Sequence, residues 1–375
     1  MSYAEAGGYR AGGAPVRAAA TKFDVMYPAN GDSEAAALYL REIYRGRDVQ
    51  PKIDEFEKVP LAKRTEDKQL ERQLEMKYKM SMGRETTATE EGGVLEQFLI
   101  CESDRNDWLG GSVFRTTKFD DFKGIDAVLE WDEADRFGRY PRLLVDYTTS
   151  QLPERVAQKK EKLVHGGRVE YFRSPFELDE DDVEKEFSLY DMPVVILGIE
   201  KTFMPKIAGM AKSQEKGRVI RDGKKVVDIK QQAFSEHPLQ ILLLEQAIAQ
   251  VDVQVRAAAA RLLNLEKTIG DREAASTLDA LRFRIGGGRV TASEIIDMLK
   301  RIEPNLHAYQ EKNKDNDVVR SHVTSTIPKW ENVAAVYQLL TEKMGDVQAK
   351  KNADQLLAAR AWRNASVTHK LLTRV

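Results

Sequence analysis

Two carboxylates, Asp126 and Asp146, stand ten positions either side of Arg136, each inside an apolar run. The runs, Gly124 to Trp131 and Arg142 to Thr148, read as strands joined by a turn over Asp132 to Tyr140. If that turn is symmetric, the two aspartates face each other across an antiparallel pair, where opposed Cβ atoms lie about 4.5–5.5 Å apart. Strand alternation puts Asp126 and Val128 on one face and Ile125, Ala127 and Leu129 on the other. Leu144, Asp146 and Thr148 share the Asp146 face. Carboxylates so placed repel unless a shared proton, an Arg or Lys, or a divalent cation lies between them. Mg²⁺, which takes oxygen ligands and is held by one or two carboxylates plus water, suits such a pair. The plain alternative is two exposed strand-end residues bonded to backbone groups.

A third acid is at hand. The spacing predicts a helix over Val94 to Ser103, with Leu95, Phe98, Leu99 and Glu102 in one stripe and Glu96 roughly 100° round from Leu95. One of the two glutamates is expected to point at the sheet. A second helix, Pro153 to His165, has an apolar seam of Leu152, Val156 and Leu163. Lys159 falls within that seam. Its stem can pack there while the ammonium reaches water, or the charge can turn toward the aspartates.

The order of helix with Glu96, strand ending Gly124-Ile125-Asp126, strand Leu143-Leu144-Val145-Asp146-Tyr147-Thr148, helix and strand resembles the αβββαβ core of the PD-(D/E)xK nuclease superfamily. The approach from Thr116 to Asp126 looks like the segment leading into that family's first motif, and the likeness runs over roughly residues 90 to 260. It implies an α+β fold with a restriction-endonuclease-like mixed sheet between helical flanks, and metal-assisted hydrolysis of DNA or RNA with Mg²⁺ or Mn²⁺. By the same likeness Asp126 and Asp146 are metal ligands, the Tyr147 carbonyl a backbone ligand and Glu96 the helix acid. The chain departs from the family at Thr148, where a lysine is expected. Some members supply that lysine from a neighbouring element, and Lys159 is the replacement this chain offers. The implied catalytic set is Glu96, Asp126, Asp146 and Lys159.

These residues need elements to hold them. A chain of 375 residues suggests two or three folded units. We expect a flexible arm over 1–32, helices over 33–89, the α/β core over 90–262 and a helical region over 263–375. Ser33 is the expected cap of a first helix that Gly46 ends, and a charged helix follows Thr65. Strands are expected at Ser112 to Thr117, Val169 to Arg173 and Pro193 to Glu200, with an exposed loop or short helix over Glu177 to Glu186. Leu239 to Leu263 reads as one long helix after Pro238. Another starts at Thr291-Ala292-Ser293-Glu294, and two more cover about 329 to 345 and 348 to 373. Gly286-Gly287-Gly288 reads as a linker, since no P-loop lysine follows.

Composition narrows the function further. A net charge of -2 excludes a generally basic nucleic-acid binder, so polyanion contact needs a local patch. The single Cys101 excludes an internal disulfide and fits a reducing compartment, the cytoplasm. Apolar runs are too short for a membrane span, and no signal peptide is evident. The five histidines show no paired ligand spacing, and His237-Pro238 reads as a helix-cap region. The basic tail, Lys350 to Arg374 around Trp362, reads as a solvated helix face before a surface for nucleic acid or acidic protein. Three readings result: a metal-dependent nuclease, a catalytically silent scaffold of the same fold that binds nucleic acid or protein, and a helical assembly protein. The helical flanks are the surfaces for self-association.

Overall fold

In the computed structural model, residues 32–264 and 290–374 are described, apart from 48, 82–85, 135–137, 222 and 313–316, together with 279, 282 and 283. Three helices come first: α1 (Ser33–Tyr44), α2 (Leu61–Ser81) and α3 (Thr86–Arg105). Next are β1 (Ser112–Arg115), α4 (Lys118–Phe122), β2 (Ala127–Glu130), β3 (Arg142–Thr148) and α5 (Pro153–His165). A hairpin of β4 (Gly167–Leu178) and β5 (Glu184–Met192) precedes β6 (Val194–Gly198). Then come α6 (Met204–Ser213), β7 (Glu215–Arg221), β8 (Lys224–Ile229) and the long α7 (Leu239–Asn264). The chain closes with α8 (Ala292–Lys312), α9 (Asp317–Lys350), α10 (Ala353–Ala365) and α11 (Val367–Thr373).

The fold is α+β. Its centre is a mixed sheet ordered β1-β2-β3-β6, antiparallel except for the parallel pair β3 and β6. Parallel neighbours need a crossover, which α5 and the β4–β5 hairpin supply. Ala127 pairs Val145 and Val128 pairs Leu144, the register that equal spacing about position 136 requires. Arg136 itself lies outside the described residues.

Both faces of the sheet are covered, which accounts for the unbroken burial of β2 and β3. Ala127, Leu129, Leu143, Val145 and Tyr147 belong to the main core, with Leu95, Phe98 and Leu99 of α3 and Leu243 and Ala247 of α7. Val128, Leu144 and Val194 face the other way, onto Val169, Phe172 and Leu189 of the β4–β5 hairpin.

β6 is the sheet's edge, and α7 seals it. Gln254, Gln250 and Gln246 stand one helical turn apart and bond both backbone groups of Val194, Ile196 and Gly198. All six bonds lie between 2.7 and 3.1 Å. The fit is geometric: four residues of helix rise about 6.0 Å, and two residues of strand about 6.6 Å. An edge that would otherwise offer free N–H and C=O groups is thereby closed. Gly198 lies so near β3 that a Cβ there would stand 1.9 Å from the Thr148 carbonyl oxygen.

Several expectations are corrected. Asp32, not Ser33, caps α1, because its carboxylate accepts from the Glu34 amide. The charged helix begins at Leu61, before Thr65. Glu177 to Glu186 is neither a helix nor a plain loop but the tip of the β4–β5 hairpin, which Asp179 closes by accepting from the Asp181 and Val183 amides. The tail holds three helices where two are expected. Pro328 lies inside α9, whose Trp330, Val333, Val336 and Leu340 are buried around and beyond it. A proline forfeits one helical bond, and that packing carries the helix through. The charged tail is partly folded in: Trp362 stacks on Phe203 at 4.6 Å and Arg363 pairs with Glu245. Of the arm expected over 1–32, residues 1–31 lie outside the described residues, as does the linker Gly286-Gly287-Gly288, and Asp32 belongs to the cap of α1. Among the described residues no helix is long and apolar enough to cross a membrane.

Candidate functional site

The site forms where α4 turns into β2. Thr117 caps α4, and Asp120 and Asp121 divide its work. Asp120 is buried and ties α4 to β4, accepting from the Glu170 amide at 2.8 Å and the Tyr171 amide at 3.3 Å. Burial pushes its carboxyl up to about 6. Asp121 points the other way, accepting from the Gln50 amide group at 3.0 Å. Gly124 then reverses the chain with φ +81°, a conformation that costs glycine nothing.

Asp126 follows just before β2, and here the ladder is irregular. Its amide donates to the Val145 carbonyl at 2.9 Å, although Val145 is already the partner of Ala127. Two residues against one make a β-bulge, which bends a strand and re-aims a side chain. The expected alternation therefore fails at this point: Ile125 joins Val128 and Leu144 in the hairpin-facing cluster. The Asp126 carboxylate instead accepts from the Tyr147 amide at 2.6 Å.

Around Asp126 the structure gathers Glu96 of α3 and Asp121 of α4, with one carboxylate oxygen of each within 4.8 Å of the others. Arg115 of β1 neutralises part of this charge, its guanidinium lying 3.1 Å from Glu96 and 3.6 Å from Asp121. Burial, partly offset by Arg115, raises the Glu96 carboxyl to about 7. Burial, reinforced by Glu96, Asp146 and Asp121, holds Asp126 well above the usual carboxylate range.

Asp146 is buried and engaged by Lys159, whose ammonium donates to its carboxylate and, at 3.2 Å, to the Tyr147 carbonyl. Burial works against the Lys159 charge, yet Asp146, Asp126 and Glu96 together hold the ammonium above the ordinary lysine range. Val156 and Leu163 of the expected seam are buried, whereas Leu152 is half exposed and takes no part. Thr148 is buried, its hydroxyl accepting from the Ser150 amide at 3.3 Å.

Glu96, Asp126, Asp146, Tyr147 and Lys159 thus converge on one end of the sheet. Glu102 does not. It is buried away from them, bonded to the Tyr44 hydroxyl at 2.8 Å and to Asn106. The reading of the residues omitted Asp121 and Arg115. Asp121 had a weak signal, a second acid one turn ahead of Asp126 in the helix-start Thr117-Lys118-Phe119-Asp120-Asp121. Arg115, the single charge in its short strand, had none. Comparison with protein-family models, curated proteins and solved structures gives no match, so the chemistry rests on this geometry.

Proposed function

We propose that the protein is a divalent-metal-dependent hydrolase of phosphodiester bonds, acting on DNA or RNA. One observation carries the reading: a buried Asp126 shares a cluster with two further carboxylates and feels the charges of the paired Lys159 and Asp146. Helix, three antiparallel strands, helix and a parallel fourth strand support a PD-(D/E)xK-like core.

The donor set fits Mg²⁺ or Mn²⁺. Every candidate ligand is a hard oxygen, with no histidine or thiol in the group. Glu96, Asp121 and Asp126 would hold the ion, and Asp146 with the Tyr147 carbonyl would border it. When bound, such an ion polarises a phosphate oxygen and lowers the pKa of water. The chain's own residues account for the rest. Asp146 and the Tyr147 carbonyl fix the Lys159 ammonium, a positive charge that can stabilise an attacking water or a phosphate oxygen as charge builds. Lys159 thereby does from α5 what a lysine at Thr148 would do. Arg115 holds Glu96 and Asp121 apart from unrelieved repulsion until a substrate or cation arrives.

The test is incubation of plasmid, single-stranded DNA and RNA with Mg²⁺, Mn²⁺ or chelator, for wild type, Asp126→Asn and Asp146→Asn. Metal-dependent cutting lost in both variants is expected; no cutting of any substrate would overturn the activity. The uncharged Thr148 favours a second reading, a silent scaffold, whose signature is nucleic-acid binding without cutting. A reducing cytoplasm is the proposed setting. Self-association through the helical flanks belongs to the same proposal, and the mass in solution reads it.

A further inference from the structure

A cavity of about 320 Å³ lies next to the acids, walled by α3, β1 and β4. Arg115 belongs to both places: it pairs with Glu96 and Asp121, and it lines the cavity. Arg47 and Arg173 line it too. Arg173 is committed to Glu186 at 2.6 Å and to a backbone carbonyl. Arg47 is the least engaged. Among the described residues it has an ion pair at 3.5 Å to Asp228, and its Nε is buried with no hydrogen-bond partner. Nη1 of Arg221, a residue outside the cavity lining, is likewise buried without a hydrogen-bond partner among the described residues. Burial, then the charges of Arg105 and Arg221, make the Arg47 guanidinium easier to deprotonate than usual. Crowded guanidiniums with unmet donors can accept an anion, and phosphate is the anion a guanidinium fork matches best.

Part of the wall is aromatic. Phe114 and Phe172, whose rings meet edge-on at 6.1 Å, line the cavity with Phe56 and Tyr171. Aromatic walls accept a planar base, and a base on an aromatic ring is a sequence-tolerant contact. Glu55 adds a carboxylate that can accept from an exocyclic amine, while the Asp104 carboxylate is already used by the Val113 amide at 3.0 Å. The volume is at the small end for ligand sites and far too small for a duplex.

We propose that this cavity is a pocket for a single nucleotide, with Arg47 receiving the phosphate and the half-buried Phe114 the base. A free mononucleotide and one unit of a single strand share that chemistry. The pocket assignment stands by itself. That the bound strand is thereby led past Arg115 to the acids rests on the hydrolase reading.

Cys101 provides a built-in probe, since it is the single cysteine of the chain and lines the cavity. The full chain, without metal, is dialysed to equilibrium against a 5′-nucleoside monophosphate, the matching nucleoside, inorganic phosphate and a trinucleotide. Saturable binding of the monophosphate is expected, at least tenfold tighter than nucleoside or phosphate alone. A trinucleotide that binds tighter still identifies the strand as the source, and equal affinity identifies the free nucleotide. Arg47→Gln should weaken binding about tenfold, with unchanged circular dichroism as the check on folding. A small thiol reagent should modify Cys101 more slowly as the pocket fills. No saturable binding, or binding indifferent to Arg47→Gln, would overturn the proposal. Cleavage is measured separately, so pocket and hydrolase can fail one without the other.

Discussion

The ammonium of Lys159 on α5 is bonded to the carboxylate of Asp146 on β3, and through the neighbouring Tyr147 carbonyl it reaches the strand that ends at Thr148. One cation is thus fixed where the strand itself offers none. Asp146 is 1% exposed and Lys159 31%, so the aspartate depends on the lysine more than the reverse.

Lys159→Gln should therefore both destabilise and inactivate. Leaving the Asp146 carboxylate buried without its cation costs about 1–3 kcal/mol, read as a lower urea midpoint at unchanged slope. Single-turnover cleavage should fall at least a hundredfold while Mn²⁺ still binds. Cleavage at the wild-type rate would remove Lys159 from the mechanism.

Asp126→Asn should separate stability from function. The amide oxygen can still accept from the Tyr147 amide, and the penalty for ionising a buried carboxyl disappears. We expect a melting temperature equal to or above that of wild type. Saturating Mn²⁺ should stabilise wild type by about 2.7 kcal/mol at a hundred times Kd and leave the variant unmoved. A variant stabilised by Mn²⁺ as strongly as wild type would place the ion elsewhere.

Gln250→Leu tests the seal on the sheet edge. It strands the N–H and C=O of Ile196 against an apolar side chain, and each unmet group costs about 1–3 kcal/mol. A total loss of about 2–4 kcal/mol is expected, with a rise in aggregation from the opened edge. A loss under about 0.5 kcal/mol, within the range of ordinary surface substitutions, would show that the ladder is not needed.

His237 gives the protein an acid-labile element. Burial, helped by Lys351, lowers its pKa to about 3, and its Nδ1 accepts from the Leu239 amide at the start of α7. Unfolded, it titrates near 6.5. Between those values the unfolded chain binds the extra proton, so stability is lost as pH falls from about 6.5 toward 3. The slope is at most about 1.4 kcal/mol per pH unit. The raised carboxyls of Glu96 and Asp120 act in the opposite sense, so the comparison must be between variants. His237→Asn, which keeps an acceptor for Leu239, should show a shallower decline in melting temperature over that window. An identical pH profile would assign the acid sensitivity to other groups.

The sequence alone carried the elements whose signals are local. β3 and α5 have the bounds that apolar runs and helix breakers gave them, and the β2–β3 register followed from spacing about the turn. Local signals end where a residue's role depends on chain far away. The bulge at Asp126, the recruitment of Asp121 and Arg115, and the inward turn of Lys159 each require α3, α4 and α5 to be docked on the sheet. Packing, not propensity, selects between equally good local states. The β7–β8 hairpin and the glutamine ladder were illegible for the same reason: Gln246, Gln250 and Gln254 have the spacing of any helix face, and only a strand edge lying against them gives it meaning.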